Sequence, residues 1–167
     1  EPVLLKDFID ETLAPEIINL KLRNCYTDIK YNISSDATVL VDKSIFAAFL
    51  KFLLQTAAHN AKPESTIMIS ISYENMTLSY KIHFYSAPLS MEDSAKLISL
   101  DPGKEQITEE EKLQFESLIK NWGIQLHIAK RILDLFHGTI TILPDADGNS
   151  IYASTFLEQT ASTATPY

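Results

Sequence analysis

Residues 121 to 142 read NWGIQLHIAKRILDLFHGTITI, and the residue types in this stretch could seat an anion. Gly123 stands in front of a run with helical spacing. A helix start preceded by glycine presents unpaired N–H groups and the positive end of the helix dipole, which together favour a phosphate. Close backbone approach would call for a second glycine after Ile124, and Gln125 stands there instead. Other chemistry is sparse. Cys25 is the only cysteine, which excludes an intramolecular disulfide and a cysteine-built metal site, and it reads as a small buried apolar residue. The formal net charge is -8 and lysine and arginine form no cluster, so a nucleic-acid backbone is disfavoured as a partner.

The elements that must position this stretch follow from its periodicity. At 167 residues, 46% hydrophobic and 22% charged, the chain suits one globular domain, placed at 1–159 with a disordered tail at 160–167. Apolar residues from Phe8 to Leu20 predict a helix over 7–23, kinked or broken at Pro15. YTDIKYNI and TVLV predict two short strands around a turn. Asp42 should cap a helix, KSIFAAFLKFLLQTAAHNA, whose apolar residues nearly encircle it and make it the central one. STIMISISY and LSYKIHF alternate across Glu74, Asn75 and Met76, which predicts a hairpin. The chain then turns polar over about 87–121, an excursion that reads as a lid. Within it TEEEKLQFESLIK predicts an amphipathic helix with Thr108 and Glu111 as a capping box. A helix from Gly123 to Phe136 and a second hairpin, HGTITIL with SIYASTFL, close the domain.

That order of elements, with GIQLHIAKRILDLFHGTITI as its most specific stretch, resembles the catalytic and ATP-binding domain of sensor histidine kinases, part of the Bergerat-fold superfamily. Gly123, Ile124, Leu126, Ile128, Lys130, Ile132, His137 and Gly138 match the family's last motif, while Gln125 and Thr139 depart from it at two glycines. The resemblance implies an α+β fold: a two-layer α/β sandwich in which a mixed, mostly antiparallel sheet packs against about three helices. It also implies a cytoplasmic domain of a two-component system, acting in a phosphorelay. The chain, opening on Glu1-Pro2, is then expected to be a piece of a longer protein.

The same resemblance shows what the pocket lacks. Thr56 falls where the family has the asparagine that holds magnesium, Phe52 at an earlier asparagine and His59 at a lysine. Asn60, one turn after Thr56, is the available substitute ligand. Ser86 falls at the aspartate that reads the adenine amino group, with Pro88 following. Loss of a charged hydrogen bond of that kind costs about 1.5–3 kcal/mol. From Asp101 to Lys120 the lid holds six acids against three bases, which repels a triphosphate.

The expected function is therefore a degraded, pseudokinase-like domain that regulates or scaffolds, with no catalytic residue, no metal site and no cofactor beyond weak ATP with magnesium. Its partners are expected to be the helical dimerisation hairpin of the parent protein and a response-regulator receiver domain. Neither nucleic acid nor membrane should be contacted, and the isolated domain should be a monomer. The phosphoaccepting histidine would lie upstream, since His59, His83, His127 and His137 sit in no such context. Two other readings use the same residues: a divergent kinase working through Asn60 and Gly123, and a pocket reassigned to another small ligand with Phe84, Tyr85 and Trp122 as walls. Phe115 on the lid helix is expected to face a partner.

Overall fold

In the computed structural model, residues 1–99 and 108–160 are described, the side chains of Phe115, Ile119 and Asn121 excepted. The elements in chain order are β1 (Pro2–Leu4), α1 (Leu5–Leu22), β2 (Tyr26–Asn32), β3 (Thr38–Leu40), α2 (Lys43–Asn60), β4 (Thr66–Glu74), β5 (Thr77–Tyr85), α3 (Met91–Ser99), α4 (Glu109–Trp122), α5 (Ile124–Leu135), β6 (Thr139–Pro144) and β7 (Gly148–Phe156). The main sheet runs β2-β4-β5-β7-β6, with β2 parallel to β4 and every other pair antiparallel. This is the expected mixed, mostly antiparallel sheet of an α+β sandwich. There are five helices among the described residues, one more than the four read from the sequence.

α2 is the hub. Asp42 accepts a hydrogen bond from Ile45 N at 3.1 Å and so caps its first turn. Phe46, Phe49, Leu50, Leu53, Leu54 and Ala57 are all buried at helical spacing. The helix packs on α1, α4, α5 and β5. From the sheet, Ile67, Ile69 and Ile71 of β4 and Leu78, Tyr80, Ile82 and Phe84 of β5 alternate into the same core.

Four local readings change. α1 runs unbroken through Pro15, although proline there lacks the N–H of a helix bond and crowds the carbonyl one turn back. β2 and β3 are not neighbours: β3 pairs with β1, a strand too short for a periodic signal, while β2 joins β4. The β4–β5 turn is two residues long, Asn75 and Met76, with φ of +51° and +60°, and Glu74 still pairs with Thr77. The polar excursion holds an extra helix, α3, started by Ser90, whose Oγ accepts from Asp93 N at 3.0 Å. Thr108 caps α4 as expected, its Oγ1 accepting from Glu111 N at 3.1 Å. Thr160, assigned to the tail, donates its N–H to Thr38 O at 2.9 Å. The rest of the tail, and the lid from 100 to 107, lie outside the described residues.

Among the described residues two buried hydroxyls, of Tyr80 and Ser94, lack a hydrogen-bond partner. Burial pushes the ionisation of the Tyr80 hydroxyl far above the usual phenol range. An unpaired buried hydroxyl costs about 1–3 kcal/mol. Tyr80→Phe is therefore expected to raise stability by about 1 kcal/mol in urea denaturation. A loss of stability instead would mean that the hydroxyl has a partner.

Candidate functional site

The last turns of α2, the end of β5 and the start of α5 meet at one place. Lys62 N, just past α2, donates to Tyr85 O at 2.8 Å and so ties the helix end to β5. Thr56 is wholly buried and its hydroxyl donates back to Phe52 O at 2.8 Å. One turn on, Asn60 Nδ2 donates to Thr56 O at 2.9 Å, folding the side chain back on its own helix. His59 is exposed and lies beside Gly123: a Cβ added to that glycine would come within 3.9 Å of His59 Cδ2. Gly123 has φ +82°, a conformation that favours glycine, and it is the residue before α5. Gln125 turns its side chain back over it, with Oε1 2.6 Å from where that Cβ would be. A side-chain amide thus lies against the helix start, in space that the close approach of a phosphate would need. Leu126 is buried in the core.

The segment after β5 is held from the other side. Ser86 is buried, and its Oγ accepts from Asn149 Nδ2 at 2.8 Å. The same amide nitrogen donates to Ala87 O at 3.1 Å, and Asn149 Oδ1 accepts from Leu89 N at 3.0 Å. Asn149 reaches this position because Gly148 begins β7 directly against β5, pairing with Tyr85. The preceding turn is closed by Asp145, whose Oδ1 accepts from Asp147 N and Gly148 N, each at 2.8 Å. The bond from Asp147 holds the Asp145 carboxyl below its usual range, helped by Gly148 N and the nearby His83 and Lys81. His83 Nδ1 lies 2.9 Å from Ser150 Oγ and 3.4 Å from Asp145 Oδ2. Both contacts fall on one ring nitrogen, so this trio cannot relay a proton between serine and carboxylate as a catalytic triad does.

No family model and no curated protein matches the sequence. Solved structures do match the fold. The nucleotide-free catalytic domain of histidine kinase ThkA superposes with a TM-score of 0.69 at 17% identity, covering 93% of this chain and 96% of that one. A mycobacterial sensor histidine kinase, MprB, gives 0.66 at 14% identity, covering 96% and 99%. ThkA in complex with the response regulator protein TrrA gives 0.70 at 16% identity, over 95% of this chain and 42% of that one. The fold is that of histidine-kinase catalytic domains.

On this kinase-type fold several of the expected site residues lie near the α2 end, and several of their polar groups are already engaged. The Thr56 hydroxyl and the Asn60 amide nitrogen are engaged with the backbone of α2, and Ser86 with Asn149. Of the proposed aromatic walls, Phe84 and Trp122 are core: both are buried, in edge contact with ring centroids 5.7 Å apart. Tyr85 meets His83 edge-on at 5.3 Å instead. On α4, Glu109, Glu110, Glu111 and Leu113 are exposed and Leu118 is half-buried, while Phe115 and Ile119 are among the side chains outside the description. Asn149 was not legible as a site residue, since an asparagine after glycine reads as turn. Among the described residues no group of three or more histidine, cysteine or acidic side chains is disposed to hold a metal ion.

Proposed function

We propose that the chain is the ATP-binding-like domain of a two-component histidine kinase whose nucleotide site is degraded, and that it regulates or scaffolds through protein contacts. The observation that supports this reading is that groups at the positions the resemblance assigns to nucleotide contacts are engaged with the chain itself. Asn149 takes the Ser86 hydroxyl at 2.8 Å, and Gln125 Oε1 overhangs Gly123. The residues present do not fit magnesium-ATP as the family holds it. Magnesium demands near-octahedral oxygen ligands, and a threonine bonded to its own helix is a poor one. A serine hydroxyl already accepting a hydrogen bond lacks the charge that an adenine amino group would meet.

The acidic start of α4, with exposed Leu113, supports a docking role for the lid. The partner of that face is the helical hairpin of the parent protein or its receiver domain, with an association rate that falls as salt rises.

ATP with magnesium is expected to bind with Kd above about 1 mM, weaker than about -4 kcal/mol, in isothermal calorimetry. Saturable micromolar binding that requires magnesium would sink this reading and favour the divergent kinase. Loss of such binding in Asn60→Ala would then identify the substitute ligand.

A further inference from the structure

We propose that Asn149 is a built-in clasp, holding the segment from Ser86 to Ser90 closed from within, where a bound ligand would otherwise have to order it. Asn149 is wholly buried, on the strand that pairs with β5. Its amide is used on both sides: Nδ2 donates to Ser86 Oγ at 2.8 Å and Ala87 O at 3.1 Å, and Oδ1 accepts from Leu89 N at 3.0 Å. The orientation of the amide is fixed by chemistry. Leu89 N can only donate and Ala87 O can only accept, so oxygen must face the first and nitrogen the second.

The clasp has a structural consequence one residue on. Ser90 caps α3, and the far end of α3 is gripped by α5, where Lys130 Nζ donates to Ile98 O. Fixing Leu89 therefore fixes where α3 begins. A ligand seeking the Ser86 hydroxyl would have to displace an amide that is already satisfied and leave the Leu89 N–H and Ala87 carbonyl without it. The clasp is in this sense autoinhibitory toward anything that reads Ser86.

This inference builds on the reading of a degraded pocket, but its test needs no nucleotide. Residue-resolved hydrogen exchange on the chain should show the Leu89 amide, and the first amides of α3, exchanging on the order of tenfold faster in Asn149→Ala. Ile69 and Ile82, in β4 and β5, should keep wild-type rates. Asn149→Asp retains an acceptor for Leu89 N and loses both donors, so Leu89 should stay better protected than in the alanine variant. Leu89 exchange within about twofold of wild type in Asn149→Ala would overturn the clasp. So would parallel acceleration in β4 and β5, which would mark a purely global contribution. Should Asn149→Ala fail to fold, Ser86→Ala removes one of the two Nδ2 acceptors, and its acceleration should be smaller and confined to the same amides. No change there would also overturn the proposal. Micromolar ATP binding by the wild type would count against the degraded pocket alone and leave the exchange result standing.

Discussion

Gly148→Ala is expected to lower stability by about 3–4 kcal/mol, a loss read directly in urea denaturation. A Cβ at this position would lie 2.1 Å from Phe84 O, with Phe84 C and Tyr85 Cα each at 3.0 Å. These are backbone atoms of a central strand, so no side chain can rotate to relieve the contact. Relief requires β7 to part from β5 at its first two pairs, Tyr85 with Gly148 and Phe84 with Asn149. It also disturbs the turn that Asp145 closes through Gly148 N. The damage reaches the candidate site because Asn149 is carried on the same pair of residues. A loss under about 1 kcal/mol would show that the strands can separate there cheaply, and that the clasp has slack.

What the sequence disclosed, and what it withheld, follows from how far each signal reaches. α2 was legible because its cap and its apolar spacing are both local: Asp42 lies three residues from the N–H it accepts. The β4–β5 and β6–β7 hairpins were legible for the same reason, being short connections between alternating runs. The placement of β2 was not. Alternation says that a strand has two faces, not which strand it joins, and a parallel partner must be reached by a crossover, here through α2. α3 was hidden because its buried residues are only Ser94 and Leu97, too few to set a period. At the site, Gly123 and Gln125 were visible as a local pattern, whereas Thr56, His59, Asn60 and Ser86 were gathered only by family resemblance. Asn149 escaped both routes. Its backbone partner Leu89 is 60 residues away in sequence, and nothing local distinguishes it from a turn asparagine.

Trp122→Ala should cost about 3–5 kcal/mol, a loss comparable with that of other large buried aromatics. The indole is 5% exposed and meets the edge of Phe84 at 5.7 Å and 61°, an arrangement worth about 0.5–1.5 kcal/mol beyond its buried area. α4 also packs on α2 and α3, but few of its described side chains are buried. Its first turn is acidic and exposed, Leu113 faces solvent at 65%, and Leu118 is only half-buried. Trp122 therefore pins the end of α4 to β5 and, being the residue before Gly123, sets where α5 starts. Trp122→Phe keeps an aromatic in place and should lose only about 1–2 kcal/mol. Far-UV circular dichroism in urea would compare the variants. Trp122 is the only tryptophan, so fluorescence of the wild type should report the same transition. If Trp122→Ala lost less than about 1 kcal/mol, the anchor would lie elsewhere, and the overhang of Gln125 on Gly123 would be set by α5 alone.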